Sequence, residues 1–500
     1  MDKKESLALT LLFLLLPLLY FFKLDTLPLA IHGDEAWTAI QALEILKNPT
    51  HLIGVGWYDL PLISFTPHAL GMFIFERNIV GDRLGSVFFG LGTLPFFYLL
   101  LRKLLNNKIA ILSTLLLATS HIWIALSRIG ITYVQASFFL ISAFYFFFSG
   151  TKTNRKIYFV LSGLMVGIGM YSYSAIRALP LIFIPLIIFY ILHKNKLGTR
   201  LLNLCLMLLI AFVVFSPQIG FFIKNPGTFF SRSNSVFVLS RSGKQWENNF
   251  DTKSLLINQV EKTFSIWKGD NSGQYGYKGP LFDYLTLLLF TLGIIESFRL
   301  KLNLKIFLYT WLGTSLLGQI LTTVPGPIFL PRFVVGIPVF YIFVGLGFYL
   351  IKMSMNYFKV NRKLQKLVLL FSLIYIIIFN LNIYFFLYLE QLSGDPNAYA
   401  ATKIGKYLNN NADNYQTIFL TSPNLHADFS TIKFLAPKSN TIDVNQPGTY
   451  KAAHVNKTIF VIYPNYKYEI EEIIKTNPTG QLLVEKNNFG DIQYYIYKVE

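Results

Sequence analysis

Apolar residues run in blocks through the first three quarters of the chain, separated by short polar breaks. Each block approaches the ~20 residues that a membrane-spanning helix requires. The pattern predicts about eleven spans, near residues 6–23, 82–101, 109–126, 131–149, 157–172, 178–192, 201–216, 281–298, 306–323, 333–350 and 367–388. The basic start "MDKK" followed by a long apolar run without a small-residue cleavage site reads as an uncleaved first span.

The polar breaks carry the orientation. "DKK", "RKLLNNK", "TKTNRK", "HKNKLGTR", "RLKLNLK" and "KMSMNYFKVNRKLQK" all fall on one side if the spans alternate. Lysine and arginine mark the cytoplasmic side. The opposite, outer side then receives loops 24–81 and 217–280 and everything after about residue 389. Beyond 388 the pattern changes. "QTIFLTS" and "KTIFVIY" read as short buried strands, and "AYAATKIGKYLNNN" and "YEIEEIIKTN" as amphipathic helices. "QLLVEKN" and "DIQYYIYKV" read as a closing strand pair. The expected organisation is a helical polytopic membrane domain over 1–388 and a small extracytoplasmic α/β domain over 389–500.

Composition agrees. Of 500 residues 53% are hydrophobic and 14% charged, with 47 Phe and 29 Tyr, as in a polytopic membrane protein. The net charge of +18 forms neither a stripe nor a tail, which argues against nucleic acid as a partner. The single cysteine, Cys205, excludes an intrachain disulfide or a cysteine-based metal site.

The informative charges are those that break the positive-inside pattern. Arg128 in "IALSRIGITYVQ", Arg177 in "YSYSAIRALPL" and Arg332 in "IFLPRFVVGIP" stand at the outer ends of spans. Snorkelling or pairing with a carbonyl is one reading of each. A planar fork of donors also suits a phosphate. Opposite them, His32, Asp34 and Glu35 in "IHGDEAWTAIQALEILKN" precede a helical pattern. Asp34 fits a helix N-cap with Glu35 in the first turn. It also fits a general base at the membrane surface, strengthened by burial. The long outer loop adds Asp270, Tyr275, Tyr277 and Asp283, placed either to cover a cleft or simply to rest on the interface. Gly163 and Gly167 have the GxxxG spacing of close helix packing. No metal-ligand cluster is evident; a divalent ion at Asp34 or Glu35 is compatible with the sequence, but no motif supports one.

These stretches, in their order and on their expected side of the membrane, resemble the GT-C membrane glycosyltransferases of the protein O-mannosyltransferase and aminoarabinose-transferase group. The resemblance rests on "HGDEAWTAIQA", "GDRLGSVFFGLGTLPFFYLLLRKL", "ATSHIWIALSRIGITYVQASFFLISAFYFF", "GLMVGIGMYSYSAIRALPLIFIPL", "GDNSGQYGYKGPLFDYLTLLLFTLGI" and "PRFVVGIPVFYIFVGLGFYL". It implies the GT-C fold and transfer of a sugar from a polyprenyl-phosphate carrier to a protein, lipid or glycan on the outer face of the cell membrane. It also implies Asp34 as the catalytic carboxylate with Glu35 assisting, and Arg128, with Arg177 and Arg332 as further candidates, on the donor phosphate. His32, Asp270 and Tyr275 would line the substrate cleft. Some relatives carry an acid shortly after the second-loop arginine; here Tyr133 and Gln135 stand in that turn, so no second acid is implied there. Two other readings stay open at this stage: a transporter of lipid-linked glycans, which needs no base, and a non-catalytic membrane assembly protein with Asp34 as a cap.

Overall fold

The structure, a computed structural model, describes residues 3–192, 197–248, 251–265, 267, 275, 279–323, 329–387, 396–486 and 490–500. Its helices run α1 (Lys3–Phe21), α2 (Gly33–Lys47), α3 (Thr66–Phe75), α4 (Ile79–Leu104), α5 (Asn107–Ala118), α6 (His121–Arg128), α7 (Tyr133–Thr153), α8 (Lys156–Gly169), α9 (Leu179–Leu192) and α10 (Leu197–Lys224). Then come α11 (Pro226–Val236), α12 (Arg241–Trp246), α13 (Thr252–Ser265), α14 (Tyr284–Ser297), α15 (Leu302–Ile320), α16 (Ile337–Tyr357) and α17 (Arg362–Asn382). All the apolar stretches expected as spans are helical. By length and apolarity, however, six helices among the described residues qualify as spans, or seven if α5 and α6, bent by 58°, count as one. Helices α8 and α14 have 14 residues each, roughly 21 Å of rise against ~30 Å of hydrocarbon. An apolar run is legible in sequence before its helical length is.

The α5–α6 break has a local cause. The Ser120 hydroxyl caps α6 by accepting from the Trp123 amide, and the His121 amide is satisfied from α17 by Asn380 Oδ1 at 3.1 Å. A helix can break inside a bundle when neighbours take up its freed amides. The expected boundary at 216 was early: α10 carries Pro217 inside it and continues to Lys224. The GxxxG reading holds. A Cβ on Gly163 would meet the Met207 carbonyl oxygen at 2.2 Å, and one on Gly167 the Val214 Cβ at 2.7 Å, so α8 lies directly on α10.

After Pro396 the chain forms a mixed five-stranded sheet, flanked by α18 (Pro396–Asn411), α19 (Ser430–Leu435) and α20 (Lys467–Thr476). The strands are β1 (Gln416–Leu420), β2 (Asn440–Asp443), β3 (Thr458–Ile462), β4 (Gln481–Lys486) and β5 (Ile492–Val499), in the order β2-β1-β3-β5-β4. β1 pairs parallel with β2 and β3; β5 pairs antiparallel with β3 and β4. The closing β4–β5 pair was expected. The central β3 is buried throughout, and alternation divides it: Ile459 and Val461 pack with Ile404 and Leu408 of α18, Phe460 and Ile462 with Ile470 and Ile473 of α20. Neither β2 nor α19 was foreseen, because a polar four-residue edge strand and a six-residue helix carry little periodicity.

The close α8–α10 contact makes a prediction. Gly163→Ala forces a methyl against backbone and is expected to cost about 1–3 kcal/mol. Gly220→Ala in α10, where a Cβ meets nothing within 4 Å, is expected to be neutral or stabilising by up to about 1 kcal/mol. Thermal unfolding of the two variants in detergent checks the contrast.

Candidate functional site

Helix α2 sets the site. Its N-cap is His32, whose Nδ1 accepts from the Asp34 amide at 3.1 Å. Asp34 is therefore not the cap, as one reading had it, but a first-turn residue whose carboxylate is left to point outward. Its side chain is 17% exposed. Tyr275, from the long loop, donates to Asp34 Oδ2 at 3.1 Å. Since Tyr275 gives its proton to the carboxylate, Tyr133 at the start of α7 must be the donor in the 2.5 Å contact between the two phenols. His32 packs edge-on against the Tyr275 ring at 4.7 Å. Burial first, then the neighbouring Tyr133 and the Asp34 charge, hold the Tyr275 phenol well above its usual range, so it stays a neutral donor to Asp34.

Glu35 faces the other way, into the bundle. Its Oε1 accepts from Arg83 Nε at 2.7 Å and from the Gly130 amide at 2.9 Å. Arg83, in the second turn of α4, also donates to the Leu24 and Ala30 carbonyls at 2.9 and 3.4 Å. Beside it, Asp82 Oδ1 lies 3.1 Å from His68 Nδ1. The turn at 129–131 closes on this cluster: a Cβ on Gly130 would fall on Asp82 Oδ2, and Ser86 donates to the Ile131 carbonyl at 2.7 Å. Glu35 is thus a fully buried brace among α2, α4 and the α6–α7 turn.

The three expected arginines part company. Arg128 donates to the carbonyls of Leu19, Phe22 and Leu27 at 2.9, 2.5 and 3.1 Å, with the Tyr384 and Phe385 rings each 5.4 Å away. Its guanidinium caps the carbonyl end of α1. Arg177 donates to the Phe229 carbonyl at 2.8 Å and stacks on the Phe229 ring, bracing α11. Arg332 differs. Its side chain makes no hydrogen bond among the described residues, and its Nε is buried without a partner. Tyr173, Arg232, Tyr133 and Tyr275 lie near enough to act on its charge. The structure therefore brings His32, Asp34, Tyr275 and Arg332 to one place and draws Glu35, Arg128 and Arg177 into the packing. Asp270 and Tyr277 lie outside the described residues. Asp283 caps α14, accepting from the Leu285 and Thr286 amides. Among the described residues no three His, Cys, Asp or Glu side chains converge as they would on a metal.

Four participants were not singled out from the sequence. Arg83 stands at the expected outer end of a span, so the positive-inside test that flagged Arg128 would have flagged it too. Arg232 of α11 lies 3.9 Å over the Tyr58 ring. Tyr58 feels the charges of Asp34, Arg232 and Arg332. Its turn is held by Gln41 of α2, which accepts from the Trp57 amide at 3.2 Å, and by a hydrogen bond from Ser231 to Asp59. Tyr133 had been noted only as a non-acid in its turn. No local pattern marks Arg232 or Tyr58 in long polar loops.

Residues 59–221 match the model of the dolichyl-phosphate-mannose-protein mannosyltransferase family. No curated protein matches the chain by sequence. Among solved structures, the fold is shared with ArnT from Cupriavidus metallidurans bound to undecaprenyl phosphate. That match has a TM-score of 0.62 at 12% identity, covering 98% of this chain and 97% of the other. It is also similar to the Archaeoglobus fulgidus oligosaccharyltransferase tethered to an acceptor peptide, with a TM-score of 0.51 at 14% identity, covering 99% and 74%. The same archaeal enzyme with an inhibitory peptide and a dolichol-phosphate gives 0.52 at 11% identity, covering 98% and 74%. The resemblance read from the sequence is borne out, by the family model over residues 59–221 and by fold over nearly the whole chain. What these likenesses share over nearly the whole chain is the fold.

The buried Glu35–Arg83 pair makes a prediction. Removing one partner of such a pair leaves a buried charge uncompensated, at about 3–5 kcal/mol. Glu35→Gln is expected to lower Tm markedly, and Glu35→Gln combined with Arg83→Met to recover part of the loss. Thermal unfolding reads both. A Glu35→Gln chain of unchanged Tm that has lost sugar transfer would instead make Glu35 a chemical participant.

Proposed function

We propose that this protein is a membrane glycosyltransferase that takes its sugar from a polyprenyl phosphate on the outer face of the membrane, with Asp34 as the general base and Arg332 on the donor phosphate. The observation that carries the reading is that a partly exposed carboxylate and a guanidinium that makes no hydrogen bond among the described residues both lie beside the same tyrosine, Tyr275. The family model over residues 59–221 and the undecaprenyl phosphate in the ArnT structure support the carrier class.

The chemistry follows from the two charges. Asp34 accepts the proton of the acceptor hydroxyl as its oxygen attacks the anomeric carbon. The bond from that carbon to the carrier phosphate breaks, and the electron pair leaves with the phosphate. The developing negative charge is met by Arg332, with Arg232 beside it, in a site of low dielectric. Attack opposite the leaving phosphate inverts the anomeric configuration. The Tyr133–Tyr275 pair orients the Asp34 carboxylate by donating to Oδ2. The isoprenoid tail needs an apolar path, and the groove of about 710 Å³ between α1, α3 and α4, lined by Phe13, Leu16, Leu70, Ile74 and Phe88, offers one. Arg128, occupied by carbonyls of α1, is assigned to structure. The acceptor is a protein, lipid or glycan.

Purified protein in nanodiscs, supplied with radiolabelled polyprenyl-phosphate hexoses and a membrane lysate as the source of acceptors, tests this. Asp34→Asn is expected to lose transfer by on the order of 10²–10⁴-fold at unchanged Tm. Arg332→Ala is expected to weaken donor binding, while Arg128→Ala lowers Tm. Full transfer by Asp34→Asn removes it as the base. Carrier binding by the wild type without any transfer favours a transporter.

A further inference from the structure

The C-terminal domain reaches the catalytic helix directly. Residues 28–32, which lead into α2, have no regular structure, so their backbone groups need partners from elsewhere. Ile31 is buried, and the C-terminal domain supplies both of its partners. Its amide donates to Thr402 Oγ1 of α18 at 2.8 Å, and its carbonyl accepts from Thr431 Oγ1 of α19 at 2.9 Å. The two threonines are not interchangeable. Thr402 spends its hydroxyl proton on the Ala398 carbonyl of its own helix at 2.7 Å, so towards Ile31 it can only accept; Thr431 donates. Two residues on, Ser430 Oγ donates to the Gly33 carbonyl at 2.8 Å. A Cβ on Gly33 would stand 3.2 Å from that hydroxyl and 3.3 Å from the Phe429 ring, so glycine lets α19 close on the chain there. His32 and Asp34 begin α2 immediately after this clamp.

The far end of α19 is fixed separately. Arg77, between α3 and α4, donates to the Lys433 and Phe434 carbonyls at 2.8–3.2 Å. The domain is therefore anchored to the bundle at one end of α19 and grips the start of α2 with the other. Loss of the grip does not require loss of the anchor.

We propose that the C-terminal domain positions the catalytic carboxylate, with Thr402 and Thr431 as positioning residues that fix Ile31 and through it the first turn of α2. The proposal rests on the reading of Asp34 as the base. A reacting group displaced by about 1 Å loses on the order of a hundredfold in rate, and a segment freed at Ile31 keeps, of the hydrogen bonds described on this side, that from Ser430 to the Gly33 carbonyl.

The test uses the full chain in nanodiscs, with Thr402→Val/Thr431→Val as the main variant, Thr431→Ser as the conservative one and Asp34→Asn as the reference. Undecaprenyl phosphate is the binding probe, and backbone hydrogen exchange follows the peptide spanning 31–38. The double variant is expected to exchange faster over 31–38 but not elsewhere in the bundle. Its turnover is expected to fall roughly ten- to a hundredfold, with undecaprenyl phosphate affinity within twofold of wild type. Thr431→Ser, which keeps the hydroxyl, should retain most of the turnover. Unchanged exchange over 31–38 would mean that the domain does not hold the segment, and unchanged turnover despite faster exchange that holding it does not position the base; either overturns the proposal. If Asp34→Asn transfers sugar as well as wild type, the base assignment and the positioning proposal fall together. If Asp34→Asn is inactive and the double variant is fully active, only the positioning fails.

Discussion

The buried ion pair between Glu35 and Arg83 is the constraint on which the site depends. One guanidinium gathers Glu35 of α2 and the carbonyls of Leu24 and Ala30, and the same carboxylate takes the Gly130 amide. Three segments distant in sequence, 24–35, the start of α4 and the 129–131 turn, are thus tied within one cluster of hydrogen bonds. In so apolar a surrounding an unsatisfied partner costs far more than in water, so the cluster forms completely or the packing around it fails. That all-or-none character gives α2 a defined rotation about its axis. With Glu35 turned inward, the helix repeat places its neighbour Asp34 on a different face, where Tyr275 meets it.

This division of labour between adjacent carboxylates explains why an acidic pair stands at the membrane edge. A cap needs one short acceptor, and His32 already supplies it. On the proposed reading, the two acids instead separate anchoring from chemistry. Glu35 is committed to fixed donors, whereas Asp34 keeps partial exposure and is oriented by a tyrosine that burial keeps protonated. The start of α2 is then constrained from two independent directions: by Arg83 from within the bundle, and by Thr402 and Thr431 from the C-terminal domain.

The helices were legible because apolar runs are local, and the strands of the C-terminal domain because β1 and β3 alternate between two buried faces. Asp34, His32 and Arg332 were also visible, as polar residues where a span should end, and Tyr275 as a residue of the long outer loop. The partners of each charge were not visible. Whether Arg128 faces a ligand or a carbonyl depends on where α1 ends, more than 100 residues away in sequence. Arg83 met the same criterion as Arg128 and was passed over. Arg232 and Tyr58 come together only because α11 folds back over the 57–59 turn, and no periodicity in either loop announces that meeting.

What separates Arg332 from these other arginines is that their guanidiniums donate to fixed protein oxygens and, among the described residues, its own does not. Arg83 has a carboxylate and two carbonyls; Arg128 has three carbonyls and two aromatic faces; Arg177 has a carbonyl and a ring. Each of these cations is already compensated, and an arriving phosphate would have to displace existing bonds to gain it. Arg332 has, among the described residues, the Phe329 ring at 5.5 Å and three tyrosines, Tyr173, Tyr133 and Tyr275, in electrostatic reach together with a second cation, Arg232. Two guanidiniums near one another without a carboxylate bridging them among the described residues repel, and that repulsion is relieved by an anion. On the proposed reading, a phosphate that gains charge as its bond to the sugar breaks relieves it most, so the arrangement would stabilise the departing group more than the intact donor. That difference, rather than tight binding of the donor itself, would then accelerate transfer.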